Sequence, residues 1–384
     1  MEKLAFNAVS IIAQERAFVG KGTAVGSVII GSGKSLPARV VTNDELGQIV
    51  DTTDEWIVPR TGIHTRAIAV HETGTDLGAE AALRALGQAE GGWQREEGAI
   101  DAASLDMIIC PTLTPDAAFP SQAALIRERI GAVNAACYDM SCACSGCVYG
   151  TSTADMLLAA SAADIAAAKA AGRPPRRNPL RRILVVATER LSRLVDWNDR
   201  ATCILFGDGA GAVVMEWRED ADGMLSSYME NTDDADHVLW CDSAFCDRPL
   251  PFDAVSDEAA RAAAETPCDP YMRMAGQAVF KFATSAMVRC IEEALSRAQL
   301  SPEDVALYVP HQANERIIRY AAKKMGMPSE RFQVTIDHTG NVSGASALIA
   351  LNEALVEGKL AVGDIALMAG FGGGLTAGAC AFRI

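Results

Sequence analysis

The sequence predicts an α/β protein in which one α/β unit is used twice, giving two mixed sheets layered with helices as α/β/α/β/α. Two observations predict this architecture. Buried strand patterns alternate with helical patterns along the chain, which is typical of sheets covered by helices. The order of helix, strand and strand-to-helix turn then restarts near residue 277 and runs to the C terminus. Such a restart indicates an internal duplication.

We divide the 384 residues into an N-terminal extension (1–25), a first half (26–218) and a second half (219–384). In the first half, apolar runs predict strands and apolar residues at helical spacing predict helices. The strands are 27–31, 105–110, 135–140, 182–188 and a pair within 203–217, and the helices are 43–60, 75–89, 121–130 and 149–171.

The second half repeats this order with a helix at 277–299, a strand at 305–310 and a strand-to-helix turn at 339–344 that leads into a helix at 345–356. Strands at 364–369 and 377–383 then correspond to 182–188 and 203–217. Three segments fit neither pattern: an acidic loop (91–103), a basic proline-rich loop (172–182) and a polar, irregular stretch (219–268).

Composition excludes several classes of protein. The net charge of −15 argues against general nucleic-acid binding, which needs a basic surface. Neither a signal peptide nor a membrane span is recognisable. The eleven cysteines show no zinc-type pairing, and their odd number without an export signal indicates reduced thiols in the cytoplasm.

A turn rich in small residues and cysteines, 139–150, stands between a predicted strand and a predicted helix. A cysteine at a helix N terminus is exposed to backbone N–H groups and the helix dipole, which favour the thiolate. We therefore expect a nucleophile with a lowered pKa here. Cys142, Cys144 and Cys147 are the candidates, and the alternative is that all three are packed core thiols.

The duplication also makes a geometric prediction. If the halves pack about a pseudo-twofold axis, the turns at 140–146 and 339–344 face one another, and the strand ending at residue 310 approaches the same place. Cys144, His311 and Asn341 would then converge, and Cys with His and Asn is a known thiol-nucleophile set. Taken singly, a histidine after a strand, such as His311, is more often a polar loop residue, and Asn341 could be a turn residue that tolerates positive φ.

Two glycine-rich stretches are the remaining candidates. The run 372–374 permits close backbone approach, and its N–H groups together with that of Cys144 would polarise a thioester oxygen. A plain tight turn is the alternative. The stretch 206–211 is not a dinucleotide fingerprint because strand, not helix, follows it. We interpret it as a turn between two strands, with Phe206 as a pocket wall.

At these residues, over 27–384, the chain resembles β-ketoacyl-acyl-carrier-protein synthase III of the thiolase-like superfamily. The ordered set of motifs is specific, although each motif alone is weak. The motifs are Asp51-Thr-Thr-Asp-Glu-Trp-Ile-Val-Pro-Arg-Thr-Gly62, Ala118-Phe-Pro-Ser121, Ala143-Cys-Ser-Gly146, Phe206-Gly-Asp-Gly-Ala-Gly211, Met274-Ala-Gly276, Val309-Pro-His-Gln-Ala-Asn-Glu-Arg316, Gly340-Asn341 with Ser343, and Phe371-Gly-Gly-Gly374.

The resemblance implies the thiolase-like fold and an initiating condensing enzyme of type II fatty-acid synthesis that is a cytoplasmic homodimer without metal or redox cofactor. Acyl-CoA would acylate Cys144, and malonyl-acyl carrier protein (malonyl-ACP) would then be condensed with the acyl group. The resemblance implies roles as follows: catalysis by Cys144, His311 and Asn341; an oxyanion hole from Cys144 and Gly373; coenzyme A binding by Thr52, Trp56, Arg60, Arg200, Gly276, Phe280, Ala313 and Asn314; an acyl pocket from Phe119 of the dimer partner, Phe206 and Phe371; and carrier-protein docking by Lys281 and Arg316.

Five alternatives stay open at this point. A polyketide starter synthase or a simple acyltransferase would use the same fold, but an intact Cys-His-Asn set favours condensation. An HMG-CoA-synthase-like enzyme needs an additional acidic base, which no motif supplies. A thiol hydrolase needs the histidine as a base and access for water. A non-catalytic scaffold is disfavoured because every expected catalytic position is filled.

Overall fold

A computed structural model describes residues 25–242 and 271–384. The predicted N-terminal extension, apart from Val25, and the 243–268 part of the irregular stretch lie outside the described residues. The strands are β1 (Gly26–Ser35), β2 (Val40–Thr42), β3 (Thr65–Ala67), β4 (Trp93–Gln94), β5 (Met107–Pro111), β6 (Ala136–Met140), β7 (Arg182–Arg190), β8 (Asp208–Arg218), β9 (Met224–Asn231), β10 (Leu239–Trp240), β11 (Arg273–Met274), β12 (Leu307–Pro310), β13 (Ile365–Gly372) and β14 (Thr376–Arg383).

The α-helices of the described residues begin after polar caps in many cases: Thr42, Thr53, Thr73, Ser121 and Asn314 each accept a hydrogen bond from a backbone N–H of the first turn. They are α1 (Asn43–Leu46), α2 (Asp54–Thr61), α3 (Gly74–Ala85), α4 (Gln122–Ile130), α5 (Gly146–Ala170), α6 (Arg200–Cys203), α7 (Gly276–Ala298), α8 (Glu315–Met325), α9 (Ile336–Thr339) and α10 (Ser346–Val356).

Two large sheets carry the fold. The first has six strands in the order β4-β1-β8-β7-β5-β6, and the second has four in the order β12-β13-β14-β9. Both are mixed, because β5 runs parallel to β6 and β7, β12 runs parallel to β13, and the other pairs in these two sheets are antiparallel.

The internal repeat is visible in the strand order. The run β5-β7-β8-β1 of the first sheet has the same directions and connections as β12-β13-β14-β9 of the second. The counterpart of β6 is reduced to a single bridge between Tyr308 and Phe332. A second, shorter copy of the same unit therefore forms the second sheet.

Three apolar cores separate the layers. The central core packs α5 and α10 between the facing sides of the two sheets. The outer face of the first sheet is covered by α3 and α4, and that of the second by α7 and α8. The predicted α/β/α/β/α fold class is confirmed. Among the described residues, no helix has the length and apolar character needed to cross a membrane.

Several local predictions were wrong. The predicted helix 43–60 is two helices, because Thr53 is extended and caps α2 separately. The turn predicted at 206–211 is mostly strand, since β8 begins at Asp208. The irregular stretch contains β9, whose polar residues occupy the edge of the second sheet.

Candidate active site

The cysteine turn is shaped by a strained backbone between β6 and α5. Ala143 adopts φ +47°, a left-handed conformation that is uncommon without glycine. A 3₁₀ turn (Ala143–Ser145) follows and continues into the 25-residue helix α5. A Cβ on Gly146 would lie 2.7 Å from the Pro111 side chain, so only glycine lets the helix start this close to β5. Cys144 is thereby held at the start of α5, 9% exposed.

The second half places an equivalent turn opposite the first. Ser343 has φ +46° and opens a 3₁₀ turn (Ser343–Ala345) that leads into α10. The two 3₁₀ turns pack together, and the position of a Cβ on Gly344 is only 3.3 Å from the Cα of Gly146. The expectation that the turns at 140–146 and 339–344 face one another is confirmed.

Asn341 is fixed at both ends of its backbone and at its amide oxygen. Its N–H donates to the carbonyl of Leu205 and its carbonyl accepts from the N–H of Gly207, at 2.9 and 3.0 Å. Its Oδ1 accepts a 2.9 Å hydrogen bond from the N–H of Ser343. The NH₂ group therefore points away from this turn, and Asn341 lines the cavity that also contains Cys144.

His311 follows β12 and is 1% exposed. Its Nδ1 lies 2.6 Å from the hydroxyl of Ser346, and its ring meets Phe371 edge-on with centroids 5.1 Å apart. Its Nε2 is buried without a hydrogen-bond partner among the described residues. Burial lowers the pKa of His311 to about 3, so the imidazole is neutral.

One cavity of about 650 Å³ joins these groups. Cys144, His311 and Asn341 all line it, so the structure brings together three residues separated by up to 197 positions. The cavity is also lined by residues that were predicted from sequence to form the oxyanion hole, the pantetheine path and the acyl pocket. These are Gly373, Gly276, Phe280, Ala313, Asn314, Phe206 and Phe371.

The cysteines behave differently from the expectation of a lowered pKa. Burial raises the pKa of Cys144 to about 12, although the hydroxyl of Ser343 opposes the shift, and the charge of Glu189 adds to it. Desolvation in a nearly closed turn outweighs the stabilisation that a helix N terminus offers a thiolate. Cys142 and Cys147 have their pKa values raised to about 12 by burial as well. Cys142 lines the cavity, whereas Cys147 lies in the central core.

The glycine run after β13 meets the cysteine turn at one residue in particular. A Cβ on Gly372 would lie 2.5 Å from the backbone nitrogen of Cys144, whereas one on Gly373 would have no neighbour nearer than 3.5 Å. Thr376 ties the two segments together, since its hydroxyl bonds to that of Ser145 at 2.9 Å and donates to the carbonyl of Cys142 at 3.2 Å. Sequence reasoning identified the run 372–374 as a place of close backbone approach but did not single out Gly372, and it missed Thr376.

The expected nucleotide platform lies outside the cavity lining. The guanidinium groups of Arg60 and Arg200 each lie 4.6 Å from the centroid of the Trp56 ring. Arg60 is connected to the cavity rim, because its carbonyl accepts a 3.0 Å hydrogen bond from Asn314. Stacking an adenine between Arg200 and Trp56 requires the arginine to move outward. Thr52 is 9% exposed and its hydroxyl is buried without a hydrogen-bond partner among the described residues.

The other predicted binding residues are on the surface. Lys281 and Arg316 are exposed, and Arg316 lies over the ring of Phe280 at 5.3 Å. Phe119 is 86% exposed and does not line the cavity of this chain.

Part of the cavity wall consists of residues to which the sequence assigned no role in a pocket. β10 and β11 pair as a two-stranded ribbon, and Leu239, Trp240 and Met274 from it face the cavity. Leu191 and Leu194, which follow β7, complete the apolar side. Two-residue strands give no periodic signal, so only the apolar residues inside a polar stretch could have indicated a pocket wall.

Comparisons with known proteins agree with this geometry. Residues 295–384 match the family model "3-Oxoacyl-[acyl-carrier-protein (ACP)] synthase III C terminal", and residues 166–233 match "3-Oxoacyl-[acyl-carrier-protein (ACP)] synthase III". The chain is 38% identical to the β-ketoacyl-[acyl-carrier-protein] synthase III of Clostridium acetobutylicum over 355 residues, which covers 92% of this chain and 98% of the relative.

Solved structures give the same result. The crystal structure of 3-oxoacyl-[acyl-carrier-protein] synthase III from Aquifex aeolicus superposes with a TM-score of 0.77 at 39% identity, covering 94% of this chain and all of that one. The priming β-ketosynthase from the R1128 polyketide biosynthetic pathway superposes with the same TM-score at 31% identity, covering 96% and 98%.

Proposed function

Because the chain belongs to the β-ketoacyl-acyl-carrier-protein synthase III family, and so is an acyltransferase that initiates fatty-acid synthesis by condensation, we propose that Cys144, His311 and Asn341 carry out this reaction. An acyl-CoA transfers its acyl group to Cys144, and malonyl-ACP then loses CO₂ and attacks the acyl-enzyme. The products are 3-oxoacyl-ACP, coenzyme A and CO₂. The convergence of these three side chains in one cavity is the observation that supports the assignment.

Acylation uses the turn geometry around Cys144. We assign the oxyanion hole to the backbone N–H groups of Cys144 and Gly373, which would bind the thioester oxygen once the acyl group is attached. Each such donor in a dry site contributes about 3–4 kcal/mol to the transition state. The oxyanion forms against the glycine run because Gly372 brings the second segment to within contact of Cys144.

Condensation depends on His311 staying neutral. His311 and Asn341 line the same cavity, and the His311 Nε2 has no hydrogen-bond partner among the described residues. In the Nε2-protonated tautomer, Nδ1 accepts from the hydroxyl of Ser346 and both groups donate to the enolate oxygen that decarboxylation creates. A pKa of about 3 keeps a charged imidazolium away from the carbanion, which it would otherwise protonate.

Binding of the substrates is assigned to the rim. We propose that the coenzyme A adenine stacks on Trp56, with Thr52, Arg60 and Arg200 beside it. The pantetheine would pass Gly276, Phe280, Ala313 and Asn314. Lys281 and Arg316 would attract the acidic carrier protein, and thiol, imidazole, amide and backbone groups carry the proposed chemistry without metal or redox cofactor.

We further propose a cytoplasmic homodimer. The exposed ring of Phe119 (86%) would be covered by a second copy and would help to wall the partner's acyl pocket next to Phe206 and Phe371. Apart from Cys241, the cysteines of the described residues are free thiols, which suits a reducing compartment.

A second candidate is a priming ketosynthase of polyketide synthesis, and the 31% identity to the R1128 enzyme is the observation that favours it. The two candidates share the chemistry and differ in the starter acyl group. A panel of acetyl-, straight-chain, branched and longer acyl-CoAs with malonyl-ACP, read by mass of the β-ketoacyl product, separates them.

Three variants test the residue assignments. We expect Cys144→Ala to form no acyl-enzyme, and His311→Ala and Asn341→Ala to acylate but not condense. An adduct on Cys142 or Cys147 in Cys144→Ala would contradict the nucleophile assignment, and release of free acid by the wild type would favour a hydrolase.

A further inference from the structure

Glu189 is a buried carboxyl for which the mechanism above has no use. It lies in β7, 1% exposed, behind the cysteine turn, and does not line the cavity. Its oxygens accept a 2.6 Å hydrogen bond from the hydroxyl of Thr114 and weaker ones from the N–H of Leu113 and the hydroxyl of Thr112. These donors hold the carboxyl in place without supplying a positive charge.

The turn that carries Ser343 packs both on the cysteine turn and on β7, the strand of Glu189, and Ser343 lines the cavity beside Cys144. Its side chain is in interaction range of both the Cys144 thiol and the Glu189 carboxyl. Ser343 is fully buried, yet its oxygen makes no well-formed hydrogen bond among the described residues. A buried hydroxyl without a hydrogen-bond partner is destabilising, and this one has a thiol and a carboxyl for neighbours. The left-handed backbone at Ser343 and the packing of its turn on β7 set this position.

The titratable groups that face the Glu189 carboxyl are the thiols of Cys110 from β5 and of Cys142 and Cys144 from the cysteine turn. The nearby charged side chains are engaged elsewhere: Arg190 pairs with Asp116, and Asp208 accepts from Ser192. Burial raises the pKa of Glu189 to about 7, and its charge raises that of Cys144, so the pair is coupled.

We propose that Ser343 relays the proton of Cys144 to Glu189 during acylation and returns it during condensation. The inference rests on the proposed function, because it assigns a route to a proton which that reaction must move. Glu189 acts through Ser343 and touches no substrate.

The steps balance over one cycle. In acylation the S–H bond of Cys144 breaks as sulfur attacks the thioester carbon. The proton passes to Ser343, whose own proton passes to Glu189, and coenzyme A leaves as a thiolate that takes a proton from solvent. In condensation the enolate carbon bonds to the acyl carbon, Cys144 leaves as a thiolate, and the proton returns from Glu189 through Ser343. The cycle consumes one solvent proton per CO₂ released, which is the stoichiometry of the overall reaction.

Rapid-quench acylation with the best acyl-CoA of the panel, followed by intact-protein mass, tests the relay. We expect Glu189→Gln and Ser343→Ala each to acylate about 100-fold more slowly than wild type, as for loss of a general base, with the double variant no slower than either. The wild-type rate should fall as pH drops through about 7, where Glu189 becomes protonated, and Glu189→Gln should lose this dependence.

The outcomes are distinct. If Glu189 were only a neighbouring charge, removing it would lower the pKa of Cys144, so faster or unchanged acylation by Glu189→Gln would overturn the relay. Wild-type rates in Ser343→Ala would do so as well, and this small substitution remains informative if Glu189→Gln unfolds. Glu353→Gln is the matched control, because Glu353 is also a buried carboxylate but bonds to Lys34 and His338 away from the cavity. Failure of wild type to acylate at all would instead refute the proposed function.

Discussion

Replacing Gly372 by Ala places one methyl group against the backbone of the nucleophile. The new Cβ would lie 2.5 Å from the Cys144 nitrogen and 3.0 Å from its Cβ, whereas ordinary contact begins at 3.4 Å. The shortfall to the nitrogen is therefore about 0.9 Å (3.4 − 2.5), and backbone atoms cannot rotate away. A displacement of about 1 Å costs a catalytic site about 100-fold in rate, or about 2.7 kcal/mol at 1.36 kcal/mol per tenfold change.

The assay is kcat/KM for β-ketoacyl-ACP formation, with thermal unfolding measured in parallel. Gly373→Ala is the matched comparison, because it keeps the backbone N–H proposed for the oxyanion hole and adds the same methyl group one residue on, where the nearest atom would be at 3.5 Å. We expect it to lose less than about tenfold. Equal losses in the two variants, or near-wild-type activity in folded Gly372→Ala, would refute the reasoning that this contact positions Cys144.

Three further predictions concern the surroundings of the site. Trp56→Ala should raise KM for acyl-CoA about 10- to 100-fold, because it removes the ring on which the adenine would stack. Turnover of a short acyl thioester that lacks the nucleotide should not change. Equal effects on the two thioesters would contradict adenine stacking on Trp56. His338→Gln should lower the free energy of unfolding near pH 6 but not near pH 10, because hydrogen bonds donated to the carboxylates of Asp337 and Glu353 raise the pKa of His338 to about 9. The stabilisation is complete below the pKa of the unfolded chain and is lost as pH rises through 9, and urea unfolding at the two pH values measures it. Thr376→Val should destabilise the protein by about 1–3 kcal/mol, because the hydroxyl of Ser145 and the carbonyl of Cys142 lose a partner in a buried place; a change below about 0.5 kcal/mol in denaturant titration would count against the link.

The repeat explains why distant residues could be paired from sequence. Once two copies of one unit are recognised, equivalent strand ends must meet near the axis between them, which puts Cys144, His311 and Asn341 in one place. The burial of the Cys144 thiol, by contrast, was not predictable from the sequence of its turn. A helix N terminus favours a thiolate, but the three-dimensional contacts of Cys144 remove the water that a thiolate needs, and the pKa rises to about 12.

The sequence also could not show which of several neighbouring residues of one type makes a structural contact. Three consecutive glycines follow Phe371, and only the packing distances show that Gly372 is the one in contact with Cys144. Glu189 was missed for a related reason. It lies at the end of a strand whose apolar run predicts burial. A functional role for a carboxyl at this position can be inferred only from the structure, in which the turn that carries Ser343 packs against this strand.

The geometry of the site also distinguishes condensation from the alternative reactions. A thiol hydrolase needs a base that can take a proton from water, yet His311 is 1% exposed and its pKa is lowered to about 3, so it is a poor acceptor. An HMG-CoA-synthase-like reaction needs a carboxyl beside the bound substrate. Glu189 is near Cys144 but lies behind the turn and outside the cavity lining, where it can exchange protons with the thiol through Ser343 but cannot reach a substrate carbon. A neutral imidazole and an amide NH₂ facing the cavity are suited to hold an enolate oxygen, which is the demand that decarboxylative condensation makes.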